Sequence, residues 1–219
     1  RSKIIIGGEG DLTLDMEDLI EETTQVVTIT NSGYMKRLNL DTYRTQNRGG
    51  KGVIATGMKD EDFVEKVRVV STHSYLLIFT DKGQVHWIKV YQIPEGSRQS
   101  RGRHVANLVQ LEKSEKISAI VAVRDFKKGF LFMATKNGTV KKTDLDLFSK
   151  PRRGGIRAIE LEDGNSLIGV RYTDGEKEIL LATRNGRASR FKESEVRSMG
   201  RTAKGVRGIR LSPDDEVMS

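Results

Sequence analysis

Leu131-Phe132-Met133-Ala134-Thr135-Lys136-Asn137-Gly138 decides how this chain is read, because the same phrase, an apolar run ending in Thr with Gly three residues on, returns along it. The other copies are Val26-Val27-Thr28-Ile29-Thr30-Asn31-Ser32-Gly33, Leu76-Leu77-Ile78-Phe79-Thr80-Asp81-Lys82-Gly83 and Leu180-Leu181-Ala182-Thr183-Arg184-Asn185-Gly186. Each predicts a β-hairpin. Asn137-Gly138 and Asn185-Gly186 are expected to supply the left-handed angles of a two-residue hairpin turn, with Lys82-Gly83 and Ser32-Gly33 as weaker versions. The apolar runs are continuous rather than alternating, which predicts strands covered on both faces.

Gly33, Gly83, Gly138 and Gly186 fall 50, 55 and 48 residues apart, a period that fits propeller blades rather than helical solenoid repeats. Ten residues beyond each Gly stands a large apolar anchor, Tyr43, Ile93, Phe148 or Val196, suited to a wedge between blades. A further strand closes each repeat: Val64 to Val70, Ile117 to Val123, Leu167 to Tyr172, and a start at Glu216-Val217-Met218. The expected fold is therefore all-β, a β-propeller of four-stranded blades with four repeats present and the last incomplete. Residues 1–22 form a lead-in, with Gly7-Gly8-Glu9-Gly10-Asp11 as linker and the acidic Asp15-Met16-Glu17-Asp18-Leu19-Ile20-Glu21-Glu22 as a helical turn or a strand. Repeats are expected near 23–74, 75–129, 130–177 and 178–219, as part of a longer array.

The 219 residues are 36% apolar, enough for a core, and carry 38 Lys and Arg against 30 Asp and Glu, a net charge of +8 with a pI near 9.6. Such an excess favours a polyanionic partner, either nucleic acid or an anionic membrane surface. No apolar stretch approaches the ~20 residues of a membrane-spanning helix, and the lack of Cys removes disulfides, thiolate metal sites and Cys nucleophiles. A soluble, cytoplasmic protein is expected.

Placement of the cations separates the partners. Behind each hairpin lies a loop of Gly and basic residues: Gln46-Asn47-Arg48-Gly49-Gly50-Lys51-Gly52, Arg98-Gln99-Ser100-Arg101-Gly102-Arg103, Pro151-Arg152-Arg153-Gly154-Gly155-Ile156-Arg157 and Gly200-Arg201-Thr202-Ala203-Lys204-Gly205-Val206-Arg207. From turn Gly to loop Gly the gaps are 19, 19, 17 and 19 residues. Cations that track the repeat would line one rim of a disc and form a curved positive stripe, where Gly lets the backbone approach phosphate. Arg44 extends the first loop. Lys36-Arg37, Lys141-Lys142, Arg187 and Arg190, on the strand leaving each turn, either add to the stripe or merely block edge pairing. The second repeat has His86-Trp87 there, so the stripe thins, and Trp87 is expected in packing between blades. Nothing offers a recognition helix for base readout, so the expected ligand is a nucleic acid held without regard to sequence.

Gln46 to Gly52 resembles the gyrase box, Gln-basic-Arg-Gly-Gly-basic-Gly, of the carboxyl-terminal domain of the DNA gyrase A subunit, in the type IIA topoisomerase family. Six of seven positions agree, and Asn47 stands where the motif has a cation. The likeness runs from Glu17-Asp18-Leu19-Ile20 through Ser97-Arg98-Gln99-Ser100 to Gly200-Arg201-Thr202-Ala203-Lys204-Gly205-Val206. It implies a β-pinwheel, a propeller whose blades exchange strands, that wraps double-stranded DNA around its rim. It also implies two partners, the rest of gyrase A and the B subunit, with chromosome association, and ATP and magnesium bound elsewhere, with no cofactor in this chain. The topoisomerase IV A subunit, whose related domain has a degraded box, is the nearer alternative, and a protein-binding scaffold the more distant one. His73, His86 and His104 lack metal-ligand spacing, and no Tyr stands in a nucleophile's setting. Asp60-Glu61-Asp62 and Asp214-Asp215-Glu216 read as solvated acidic clusters, so no catalytic residues are expected.

Overall fold

A computed structural model describes residues 16–41, 62–97, 99–112 and 114–219. Four hairpins occur where the Thr-to-Gly phrase predicts them: β1 (Thr24–Thr30) with β2 (Tyr34–Asn39), β4 (Tyr75–Thr80) with β5 (Gln84–Lys89), β8 (Phe130–Thr135) with β9 (Thr139–Asp144), and β12 (Glu178–Ala182) with β13 (Ala188–Lys192). The turn geometry differs from expectation. Gly33, Gly83, Gly138 and Gly186 have φ of 75 to 81°, but Asn137 and Asn185 do not take positive φ. In each turn the Gly amide bonds back to the Thr carbonyl three residues earlier, at 2.9 to 3.1 Å. That is a type I turn closed by one left-handed Gly, a three-residue loop rather than a two-residue one.

Each closing strand pairs with the first strand of its own hairpin: β3 (Val64–Ser71) on β1, β7 (Ile117–Val123) on β4 and β11 (Leu167–Thr173) on β8. The fourth edge is supplied by the next repeat. β6 (Arg103–His104) joins β2, β10 (Ile156–Arg157) joins β5, and β14 (Val206–Arg207) joins β9. The sheet orders are thus β3-β1-β2-β6, β7-β4-β5-β10 and β11-β8-β9-β14, all antiparallel, with β12-β13 as a fourth, two-stranded sheet.

The core lies between sheets, and alternation along a single strand shows how. Leu76 and Ile78 of β4 pack with Val27, Ile29 and Met35 of the first sheet, whereas Leu77 and Phe79 pack with Leu131 and Met133 of the third and with Phe148 just beyond β9. Phe132 turns the other way, to Leu181, Val196 and Val217. Both faces of a central strand are therefore apolar, and burying each such side chain contributes ~1.5–3 kcal/mol. Ile93, Phe148 and Val196 are the buried anchors ten residues past their turns; Tyr43 lies outside the described residues.

β7 and β11 lie against each other, and β3, β7, β11 and β12 line one cavity of about 640 Å³ with Met218 and Ser219. These strands face the axis of a propeller, which places β6, β10 and β14, at the far side of each sheet, on its outer rim. Within the lead-in, the described residues include a 3-10 turn, Met16–Leu19. Glu17 ties it to the blades through Lys89 at 2.6 Å and Arg124 at 3.3 Å. Partial burial works to raise the Glu17 pKa, but Lys89, His73 and Arg124 together hold it below the usual carboxylate range.

Candidate nucleic-acid interface

Three rim segments share one construction. Gly102, Gly155 and Gly205 have φ of 84, 73 and 105°, and a Cβ on each would lie 2.4, 2.9 and 2.4 Å from the carbonyl oxygen of Met35, Val85 and Val140 respectively. Only Gly combines that angle with so close an approach to a neighbouring strand. Two residues of antiparallel pairing follow in each case, and the amides of Val105, Ala158 and Gly208 then bond to the carbonyls of Gly33, Gly83 and Gly138 at 2.8 to 2.9 Å. The loop preceding each Gly is thereby laid across the blade of the previous repeat.

On these segments Arg103, Arg152, Arg153, Arg157 and Arg207 are exposed and make no ion pair among the described residues. Register makes Arg157 and Arg207 equivalent, since Gln84 and Thr139 are their partners, whereas Arg103 sits one place earlier against Met35 and so projects to the other face. Other predicted cations are partly engaged. Arg101 stacks 3.7 Å over the Tyr34 ring with Asp62 at 4.0 Å. Lys204 approaches Glu162 at 3.4 Å, Arg190 pairs with Glu178, and Arg187 donates to the Ser212 hydroxyl. Arg201 is half-buried. Arg37 donates to the Ile93 carbonyl and pairs with Glu95 at 3.3 Å. Gln46, Asn47, Arg48, Gly49, Gly50, Lys51 and Gly52, with Arg44 and Arg98, lie outside the described residues.

Three lysines do not belong to the outer surface as predicted. Lys36, Lys141 and Lys142 are 2%, 0% and 7% exposed. Lys36 Nζ donates to the carbonyls of Ser97 and Ser100, at 3.1 and 2.7 Å. Lys141 Nζ donates to those of Ala158 and Arg201, at 2.7 and 2.5 Å. Lys142 Nζ donates to that of Glu193, at 3.1 Å. Loss of water around the ammonium lowers the Lys36 pKa and brings that of Lys141 to about 8, with the Arg201 charge adding to the latter. Neighbouring strand residues ordinarily alternate between core and solvent; here Lys141 and Lys142 are both covered.

The recurrent Thr also has a polar function. Thr30, Thr80, Thr135 and Thr183 each accept, through Oγ1, the amide of the residue after the turn Gly, at 3.2 to 3.4 Å. Opposite each stands a side chain just before or within the closing segment of the repeat: Asp62, Glu115, Asn165 or Asp215. Asp62 Oδ1, Asn165 Oδ1 and Asp215 Oδ1 accept the amides of Ser32, Asn137 and Asn185 at 3.0 to 3.1 Å. Asp62 and Asp215, read from sequence as solvated, are thus hairpin clasps. Partial desolvation would raise their pKa values, but these hydrogen bonds keep both low. The signal was present as an acid or amide some 30 residues beyond each Thr. Trp87 donates to the Phe148 carbonyl at 2.9 Å, between repeats as expected. His86 is buried beside Glu115 at 3.9 Å, and burial lowers its pKa against the pull of that carboxylate.

The family model described as "DNA gyrase C-terminal domain, beta-propeller" matches residues 24–71, 74–124, 129–174 and 177–219. The A subunit of DNA gyrase from Salmonella typhimurium (strain LT2) is 50% identical over 207 residues, 94% of this chain and 24% of the relative. The chain thus spans about a quarter of the length of the curated relatives it matches. Among solved structures, the C-terminal domain of DNA topoisomerase IV is 33% identical with a TM-score of 0.78, over 91% of this chain and 61% of that one. The DNA gyrase A C-terminal domain is 25% identical with a TM-score of 0.70, over 90% and 64%. Strand exchange between blades, rim loops in register and a family match along all four repeats agree, and the chain belongs to the DNA gyrase C-terminal-domain β-propeller family.

Proposed function

We propose that the rim of this propeller is a sequence-independent track for duplex DNA, serving negative supercoiling by a gyrase in which the remainder of gyrase A joins the B subunit. One observation carries the reading: exposed arginines without ion-pair partners among the described residues recur on the segment that forms the outer edge of three successive sheets. Backbone contacts of this kind position a duplex and carry no base information. Bending 20–30 bp through 40–90° costs ~1–6 kcal/mol, so several blades must act together to offset it. Each phosphate neutralised adds about −0.9 to the slope of log affinity against log salt.

The role is binding and bending. Cleavage, ATP and magnesium belong to other parts of the holoenzyme in this reading, which works in the cytoplasm on the chromosome. Topoisomerase IV is the second reading, favoured by the likeness of its domain to this fold. The box at Gln46–Gly52, complete but for Asn47, favours gyrase.

A topological trap tests the proposal. The chain is incubated with relaxed plasmid, a nicking-closing topoisomerase is added, and the expected product is plasmid with trapped positive supercoils. An unchanged distribution of linking numbers overturns wrapping. Restoring the chain to its full-length protein then decides between relatives, because relaxation and decatenation without ATP-driven negative supercoiling would select topoisomerase IV.

A further inference from the structure

Three residues beyond each turn Gly stands a side chain that points under the rim: Lys36, His86, Lys141 and Ser189. At three of these positions it donates to rim carbonyls. Lys36 holds Ser97 and Ser100, in the loop that the second repeat lays on the first blade. Lys141 holds one carbonyl from each of two successive rim segments, Ala158 from the third repeat and Arg201 from the fourth. Ser189 Oγ reaches the Gly208 carbonyl at 3.2 Å. His86 is the exception, since neither ring nitrogen has a hydrogen-bond partner among the described residues.

Burying an ammonium is costly, and an apolar side chain of similar size commonly stabilises a fold as well or better. Its presence calls for a benefit other than bulk stability. Here the benefit is placement. Ser97 and Ser100 bracket the approach to Arg101 and Arg103, and Arg201 is three residues from Lys204. A short loop rich in Gly has little apolar surface with which to fix its own path, and two charge-assisted bonds to its backbone supply that constraint.

We propose that Lys36 and Lys141 are positioning residues of the DNA track: buried clasps that hold the cationic rim loops in line and touch no phosphate themselves. The proposal rests on the reading of the rim as a DNA track. It assigns the two lysines a role distinct from the surface cations among which their sequence context would place them.

The test is hydrogen exchange and salt-dependent duplex binding on the full chain carrying Lys141→Met or Lys36→Met. In the first variant, residues 198–206 should exchange about tenfold faster while 99–104 keep their rates; the second should show the reverse. Loosening the loop that carries Arg201 and Lys204 should flatten the salt slope by about 1.8, two phosphates at ~0.9 each. Equal acceleration of every segment would mean general destabilisation and would overturn the proposal, as would unchanged exchange in the clasped loop. A slope lowered by ~0.9 with exchange unchanged would put the lysine itself on a phosphate, and also overturns it. Should Lys141→Met fail to fold, Lys141→Gln removes the charge and keeps a donor, and the same contrast between the two loops applies. Failure of the parent chain to retain duplex at 0.05 M salt would sink the track instead, and the exchange contrast alone would then decide the clasp.

Discussion

A threonine precedes every turn glycine by three residues because its hydroxyl has two partners at once. It accepts the amide that re-enters the second strand, and it faces a polar side chain from the end of the same repeat. In the second blade Thr80 Oγ1 donates to Glu115 Oε1 at 2.9 Å, and the Glu115 side chain is 2% exposed. Thr80→Val would leave a buried carboxylate short of a donor, which costs ~1–3 kcal/mol. Thr143 is the control: its hydroxyl is buried without a hydrogen-bond partner among the described residues. Urea titration of both variants checks this: Thr143→Val should be neutral or slightly stabilising, and equal losses at both sites would refute the clasp. Lys141 gives a pH prediction of definite sign. Its folded pKa of about 8 lies below the 10.5 of a free lysine, so between these values the unfolded chain binds the proton and the folded chain does not. Stability therefore rises with pH across that window. Relative to Lys141→Met, the parent should gain about 2 kcal/mol from pH 7.5 to pH 10; a flat difference would contradict the burial of a charge there.

Hairpins, closing strands and anchors were legible in sequence because each repeats a pattern long enough to register. The continuous run Leu76 to Phe79 announced a strand covered on both sides, and the packing of Leu76 and Ile78 one way, Leu77 and Phe79 the other, is the physical content of that pattern. Turn type was not legible: Asn-Gly suits a two-residue turn, but the type I turn needs a left-handed angle only at the Gly, which Ser32-Gly33 and Lys82-Gly83 provide equally well. Rim strands were harder still. β6, β10 and β14 are two residues long, too short for any periodicity, and their partners lie in the preceding repeat. That exchange also explains the error at Lys141-Lys142. Adjacent strand residues face opposite sides, so two lysines in a row ordinarily place at least one in water. Here the rim segment covers one side, where Ala158 and Arg201 meet Lys141, and the next blade covers the other, where Glu193 meets Lys142.

At the scale of the whole molecule, rotation from blade to blade turns a repeated register into a direction in space, and this makes the track testable by position rather than by charge alone. Arg157 and Arg207 hold the same place relative to their blades, opposite Gln84 and Thr139, whereas Arg103 pairs one residue earlier and projects to the other face of its strand. All three are exposed and carry the same charge, so a reading based on net charge alone predicts equal effects. A track predicts unequal ones. Arg157→Ala and Arg207→Ala should each flatten the salt slope of duplex binding by about 0.9, one phosphate apiece. Their double variant should flatten it by about 1.8, because residues on separate blades with no shared partner act additively. Arg103→Ala should do less. Trapped positive supercoils should fall more steeply in the double variant than affinity does, since bending needs contacts at both ends of an arc, whereas simple binding needs either one. Three equal slopes would reduce the rim to a diffuse positive surface, with nothing to set the path of the duplex.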